Sequence, residues 1–341
     1  MGNCARAVSR RSERHEVHLV SGNPQDGPGA PQVAAPQLRT SMWAAAQSVS
    51  FEELVRVDML EGRVARVTML HGGAGAGGAG EDVAAFSWGT RMGEHRLNPP
   101  LLSALNKALD AALADEAVAC VVVTGEGRFF SNGMDLQWIA QHQSSADELQ
   151  HEAELLLARL LTLPVPTVAQ INGHFCAAGA MLGLAFDVRV MTSERGLFFV
   201  PGIDLGLVYS PGMTSLMKAK TPIHMHCDLI VFGQKYSAKD LEQERVVALT
   251  CSLADLPSVA LRHALQLTDK GRFGTAKYRA TMQAIKQSTF KEAFDLLSQA
   301  RAFKGMGFSD GAWDEHGRAK ATQVQGPSPK HPSRTPSQAS L

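Results

Sequence analysis

The sequence predicts an α/β fold, and three observations carry that reading. Short apolar, β-branched runs alternate with amphipathic stretches at helical spacing. Two of those runs, Val118 to Val123 and Val165 to Ile171, each lead through Gly or Asn into what reads as a helix. The last third of the folded part is almost wholly helical in pattern.

The elements follow in order. Residues 1 to 50 carry Arg pairs, Pro, Gln, Gly and Ser without hydrophobic period, which predicts a disordered or targeting segment. The folded part is expected over 51 to 303, and 304 to 341, with Pro327, Pro332 and Pro336, reads as a disordered tail. Leu54 to Leu60 and Arg63 to Leu70 alternate and meet at Glu61-Gly62, a hairpin signal. The Gly/Ala run Gly72 to Gly80 contains G-x-G-x-x-G at Gly75, Gly77 and Gly80. Such a match is nearly guaranteed in that composition, and Gly89 and Gly93 follow where a dinucleotide fold needs its helix, so the run reads as a flexible insertion.

Pro99 to Ala114 is an amphipathic helix entered at Asn98, with Pro in its first turn. Ala119 to Thr124 is a strand, and Asp147 to Leu163 a helix whose apolar side takes Leu149, Leu155, Leu156, Leu160 and Leu161. Val165 to Ile171 is a strand, Ala177 to Phe186 a small-residue helix, and Val188 to Met191 and Leu197 to Val200 two more strands. Helices are expected over Pro211 to Lys220, His224 to Phe232, Ser237 to Arg245, Leu256 to Thr268, Thr275 to Lys286 and Phe290 to Ala302.

Composition limits the function. Lys plus Arg equals Asp plus Glu at 33 each, so no basic excess points to nucleic acid or an anionic membrane as main partner. No apolar run approaches the roughly 20 residues that a membrane helix needs. The five cysteines are scattered and never spaced C-x-x-C, which suits small buried apolar residues rather than a disulfide framework or zinc. His224-x-His226 looks like a metal pair, but two residues apart on a helix the rings face different ways, so no metal is expected.

Chemistry concentrates in two turns, Arg128 to Leu136 and Asn172 to Asp187. A strand that turns sharply into a helix leaves N–H groups unpaired where peptide dipoles add partial positive charge. Two such turns aimed at one point hold a developing oxyanion. Phe130-Ser131-Asn132-Gly133-Met134-Asp135-Leu136 resembles the F-[SC]-[AS]-G-x-D-[LI] segment of the crotonase (enoyl-CoA hydratase/isomerase) superfamily, and Asn172 to Asp187 resembles its N-G-x-[AC]-x-G-G-G segment with the Asn-to-Asp spacing intact. Gly202 to Leu207 falls where that family has E-x-x-x-G, and Ser237 to Asp240 resembles the opening of a later family helix. The likeness covers roughly 54 to 300 and is greatest to the Δ3,Δ2-enoyl-CoA isomerase branch.

The resemblance implies a crotonase-type spiral of ββα units with a helical C-terminal trimerisation region. It implies a homotrimer or hexamer that binds an acyl-CoA, with coenzyme A as part of the substrate and no separate cofactor. Met134 and Ala178 then supply the two backbone N–H donors to the thioester oxygen. Ser131, Asn132, Gly133, Asp135, Gly179, Pro201 and Gly202 form the surrounding substrate site. Lys277 and Lys286 are candidates for the CoA phosphates, against a solvated helix face.

The departures matter. The two glutamates of the family's hydratases are replaced by Met181 and Gly202, and neither exchanges a proton. Losing the first argues for isomerase over hydratase; losing the second removes the isomerase's ordinary base. Asp204, Asp135, Glu126, Tyr209 and His174 are the substitutes, left unranked, and the route through Ser210-Pro211 ends at Gly212. The expected activity is Δ3 to Δ2 isomerisation of an enoyl-CoA in fatty-acid β-oxidation; the alternative is a crotonase-fold pseudoenzyme that serves as an acyl-CoA-binding or assembly subunit. Ala339-Ser340-Leu341 keeps two features of a peroxisomal tripeptide, and the peroxisome is the family-led address, with mitochondrial or cytoplasmic alternatives.

Overall fold

The computed structural model describes residues 48–71, 93–269 and 276–299, all within one unit, Ser41–Leu341. The expected tails and the Gly/Ala run Gly72 to Gly80, with Gly89, lie outside the described residues, apart from the stretch that begins at Ser48.

Three strands open the described fold: β1 (Ser48–Phe51), β2 (Val55–Leu60) and β3 (Val64–Met69). The hairpin is antiparallel with Leu60 opposite Val64, and Gly62 at φ +65° makes its turn. β1 was not expected, and it starts three residues before the anticipated border at 51. Helix α1 (Pro99–Ala114) has the predicted bounds, because Asn98 Oδ1 accepts Leu101 N–H at 3.1 Å and two prolines stand in the first turn.

Three ββα units follow. The first is β4 (Cys120–Gly125), β5 (Phe129–Ser131) and α2 (Leu136–Gln141), with α3 (Ala146–Leu161) returning the chain. The second is β6 (Thr167–Ile171), β7 (His174–Cys176) and α4 (Ala178–Leu184). The third is β8 (Val188–Thr192), β9 (Leu197–Phe199) and α5 (Gly202–Leu205), followed by α6 (Pro211–Lys220). Then come β10 (Tyr236–Ser237), α7 (Ala238–Gln243), β11 (Leu249–Cys251), α8 (Leu256–Asp269), α9 (Ala276–Thr289) and α10 (Lys291–Ser298).

The first strand of every unit joins a seven-stranded sheet of order β1-β2-β3-β4-β6-β8-β11, and the second joins a four-stranded sheet of order β10-β9-β7-β5. The residue pattern alone read strand, turn, helix; the structure corrects this to strand, strand, helix. Three-residue strands are too short to show a period, whereas the ββα spiral implied by the resemblance already contained them. The side-chain alternation of β4 shows how the large sheet is covered. Val121 and Val123 belong to the main core with α1 and α3, while Cys120 and Val122 face Leu256, Val259 and Ala260 of α8.

Four expectations are corrected. Leu155, placed on the apolar side of α3, is 42% exposed, because it lies on the flank between the buried Glu154 and Leu156. The stretch His224 to Phe232 is a 3-10 turn followed by a π-helical turn at Cys227–Val231, so Cys227 is exposed rather than buried. Lys286 is buried: its Nζ lies 2.5 Å from Asp187 Oδ2 and 2.8 Å from Val165 O, so it cannot reach a CoA phosphate from there. Lys277 is exposed.

Asp187 also accepts Thr167 N–H at 2.8 Å, so one carboxylate ties β6, α4 and α9 together. Exchanging Lys286 for Met strands that carboxylate, and urea unfolding should show a loss of about 3 kcal/mol. Lys277→Ala should stay within about 0.5 kcal/mol of the parent.

Candidate active site

The two chemistry-bearing turns touch through their backbones. Gly133 has φ +84°, and a Cβ there would stand 2.8 Å from Ala178 N and 3.1 Å from Cys176 O. A Cβ on Gly179 would stand 2.2 Å from Ser131 O, so α4 lies directly on the end of β5. Asn172 stitches the same two units: its Nδ2 donates to Gly127 O and Phe129 O at 3.0 Å, and its Oδ1 accepts Gly125 N–H at 3.2 Å. The motif letters Asn, Gly and Gly thus record contact between units, each answering to a specific backbone atom.

These contacts orient the two amides. Residues 93–98 run beside the first turn, with Leu97 N–H donating to Gly133 O at 2.7 Å and Asp135 N–H donating to Leu97 O at 3.0 Å. A parallel bridge of that kind turns the N–H of the intervening Met134 to the opposite edge. Ala177 has φ +52° and ψ −130°, a conformation an L residue holds only under constraint. Its N–H donates to Phe199 O at 3.0 Å and its carbonyl accepts Ala180 N–H at 3.0 Å, which supply the constraint. The strained residue starts α4, whose first N–H, that of Ala178, has no earlier helical carbonyl to bond. Among the described residues neither the Met134 nor the Ala178 N–H has an acceptor.

Both residues line one cavity. The first unit adds Asn132 and Leu136 to Met134, and the second adds Ala177 and Met181 to Ala178. The third adds Pro201, Gly202, Leu205, Leu207 and Tyr209, with Met213 from α6. Of the nine sequence-predicted site residues, Asn132, Met134, Ala178, Pro201 and Gly202 therefore meet in one place. The other four support it from behind. Ser131 is buried, with Oγ donating to His95 O at 2.7 Å; Asp135 caps α2 through Trp138 N–H; Gly133 and Gly179 make the close approaches described above.

The cavity is apolar at Leu136, Met181, Leu205, Leu207 and Met213, and polar side chains enter it only at Asn132 and Tyr209 among the described lining residues. Asn132 is spoken for: its Nδ2 donates to Glu94 Oε2 at 2.8 Å and its Oδ1 faces Cys176 Sγ at 2.9 Å. Burial pushes the Cys176 thiol up to about 12, so it stays protonated and can donate that contact. Glu94 was missed by the sequence reading, because it lies 38 residues before Asn132 and belongs to no periodic element.

Of the five substitutes for the missing carboxylate, only Tyr209 lines the cavity. Asp135 is a helix cap, Glu126 is tied to Arg56 and to His71 N–H at the surface, and Asp204 is exposed. His174 lies in β7 with its ring stacked obliquely on Phe129. The Tyr209 ring occupies the place a side chain at 202 would need. A Cβ on Gly202 would come within 2.6 Å of the hydroxyl, and Gly202 N–H donates to that hydroxyl at 2.5 Å.

The family model described as enoyl-CoA hydratase/isomerase matches residues 93–308. Enoyl-CoA delta isomerase 3 of Arabidopsis thaliana is 33% identical over 162 residues, which are 46% of this chain and 66% of the relative. The peroxisomal enoyl-CoA delta isomerase 2 of the same plant is 35% identical over 138 residues, 38% of this chain and 58% of the relative. The chain therefore spans less than two thirds of the length of these relatives. The 2,3-dehydroadipyl-CoA hydratase of Escherichia coli is 32% identical over 56% of this chain and 73% of its own. Among solved structures, the apo form of an enoyl-CoA isomerase of Mycobacterium tuberculosis superposes with a TM-score of 0.59 at 21% identity, covering 76% of this chain and 99% of that one. At that identity the likeness is one of fold.

Gly133→Ala places a methyl against Ala178 N at a positive φ, and it should lower unfolding free energy by about 2 kcal/mol in a denaturant titration. Ala177→Gly relieves strain at the facing turn and should cost nothing or raise stability by up to about 1 kcal/mol.

Proposed function

The chain belongs to the enoyl-CoA hydratase/isomerase family, and on that footing we propose that it isomerises a 3-enoyl-CoA to the conjugated 2-enoyl-CoA through a thioester enolate. The observation that carries the reading is the pair of amides without an acceptor among the described residues, Met134 N–H and Ala178 N–H, on residues that line a cavity whose remaining wall is mostly apolar. A thioester oxygen held by both donors makes the neighbouring C2–H more acidic, since the enolate charge develops where the donors already point. The apolar lining suits an acyl chain.

Met181 stands where hydration would need one of its two carboxylates, which supports isomerisation over addition of water. The Arabidopsis relatives carry the isomerase name, and the peroxisomal label of one supports the same address here. Fatty-acid β-oxidation as the setting, and trimeric assembly through the C-terminal helices, belong to the same reading; sizing by light scattering tests the assembly.

Incubation with a 3-enoyl-CoA should produce the absorbance of the conjugated 2-enoyl thioester. Gly133→Ala, which displaces one donor, should lower kcat by about 10²–10³. Saturable binding of an acyl-CoA without any turnover would instead mark a binding subunit, and absence of binding would end the acyl-CoA reading altogether.

A further inference from the structure

We propose that Tyr209 is the catalytic proton carrier of this site, its phenolic oxygen standing in for the carboxylate that position 202 lacks. The inference rests on the isomerase reading and adds to it the group that moves the proton. Three observations carry it. Tyr209 is the one titratable side chain among the described residues that line the cavity. Its ring fills the volume of a side chain at 202, with the hydroxyl 2.6 Å from where a Cβ would lie. Its oxygen accepts the Gly202 N–H at 2.5 Å, so a backbone donor is already in place to favour the oxygen as an anion.

The step balances without a further reagent. The phenolate oxygen takes a proton from C2 and becomes a phenol; the C2–H electron pair forms the C1–C2 π bond, and the thioester oxygen takes the charge between Met134 and Ala178. The dienolate then takes the same proton from the phenol at C4. The double bond settles between C2 and C3, and the phenolate returns. One group thus serves both ends of the transfer, as a shuttle must.

Chemistry fixes the pH dependence. Burial pushes the Tyr209 phenol well above its ordinary range, Asp204 on α5 pushes it the same way, and the Gly202 N–H opposes them. The residues that line the cavity from the first turn, from α4 and from α6 add no titratable group. A small fraction of the protein therefore carries the phenolate at neutral pH, and that fraction grows about tenfold per pH unit below the phenol's pKa. A carboxylate base would instead give a rate already level above about pH 6.

The test uses the full chain, a 3-enoyl-CoA followed by absorbance from pH 6 to 9, and a saturated six-carbon acyl-CoA titrated by calorimetry. The wild-type rate should climb by about tenfold per unit across that range. Tyr209→Phe should bind the saturated probe within about threefold of wild type and turn over about 10²–10⁴ more slowly. The double variant Gly202→Glu with Tyr209→Ala, which clears the ring from the carboxylate's place, should recover turnover with a profile level through neutral pH. Turnover that survives Tyr209→Phe, or a level wild-type profile, overturns the assignment of Tyr209 and leaves the isomerase reading standing. Wild-type protein that binds the probe yet converts no 3-enoyl-CoA at any pH overturns that reading, and Tyr209's role with it. Should Tyr209→Phe fail to fold, as circular dichroism would show, the wild-type pH profile decides alone.

Discussion

The structure depends on two backbones lying in direct contact, the end of β5 against the start of α4. No side chain fits between them: a methyl on Gly133 would press on Ala178 N, and a methyl on Gly179 would press on Ser131 O. The use of this close approach is positional. It fixes two amides relative to each other through peptide planes, which are stiff, rather than through rotamers, which are not. The strain at Ala177 falls at the same contact: its positive φ starts α4 at Ala178, a residue that lines the cavity. Phe199 O and Ala180 N–H hold the turn in that state, so the third and second units share the work of aiming one donor.

The repetition of ββα explains why the cavity lies where it does. Each unit passes from the large sheet to the small one and ends in a helix, so the three strand-to-helix turns converge. Turns one and two each present an unpaired amide. Turn three, at Pro201-Gly202, presents an amide as well, but Tyr209 Oη has taken it. The tyrosine is carried by the segment between α5 and α6, and Ser210 beside it caps α6 by accepting Met213 N–H at 3.1 Å. The ring's place is therefore set by a helix cap on one side and by a backbone donor on the other. Gly202 and Tyr209 form a complementary pair: the absent side chain at one makes room for the other.

Much of the site was legible in the sequence because its logic is backbone geometry, and glycine at a fixed spacing is the most direct trace that backbone geometry leaves. Gly133, Gly179 and the Asn172-to-Asp187 interval all answer to contacts in the structure. Helices α1 and α6 were legible to the residue, because Asn98 and Ser210 cap them ahead of prolines. What was not legible has a physical pattern too. Strands β5, β7 and β10 have three residues or fewer, below one full alternation, and they owe their existence to neighbours in the small sheet rather than to propensity. The role of Lys286 depends on Asp187, 99 residues away, and local spacing carries no information about such a partner. Tyr209 could be named beforehand but not ranked, since its importance comes from the empty volume at Gly202, which is visible only once both are placed.

Helix α4 shows how the rest of the protein serves these turns. All seven of its residues are buried, and its small side chains leave it little grip of its own. Its far end is instead held by charge. Arg189, buried, donates to Leu184 O and Phe186 O at 3.3 and 2.7 Å, and Lys220 Nζ donates to Phe186 O at 3.2 Å. Cations at a helix C-terminus satisfy carbonyls that lack partners and complement the dipole. These two and Lys286 gather near the single carboxylate of Asp187, and burial, reinforced by Arg189, pulls the Lys220 amine down to about 7. Arg189 and Lys220 hold the end of α4 behind and Ser131 O stands close against its start in front, so the helix that carries the Ala178 N–H is fixed at both ends, while Ile203 and Val208 beside the cavity are exposed.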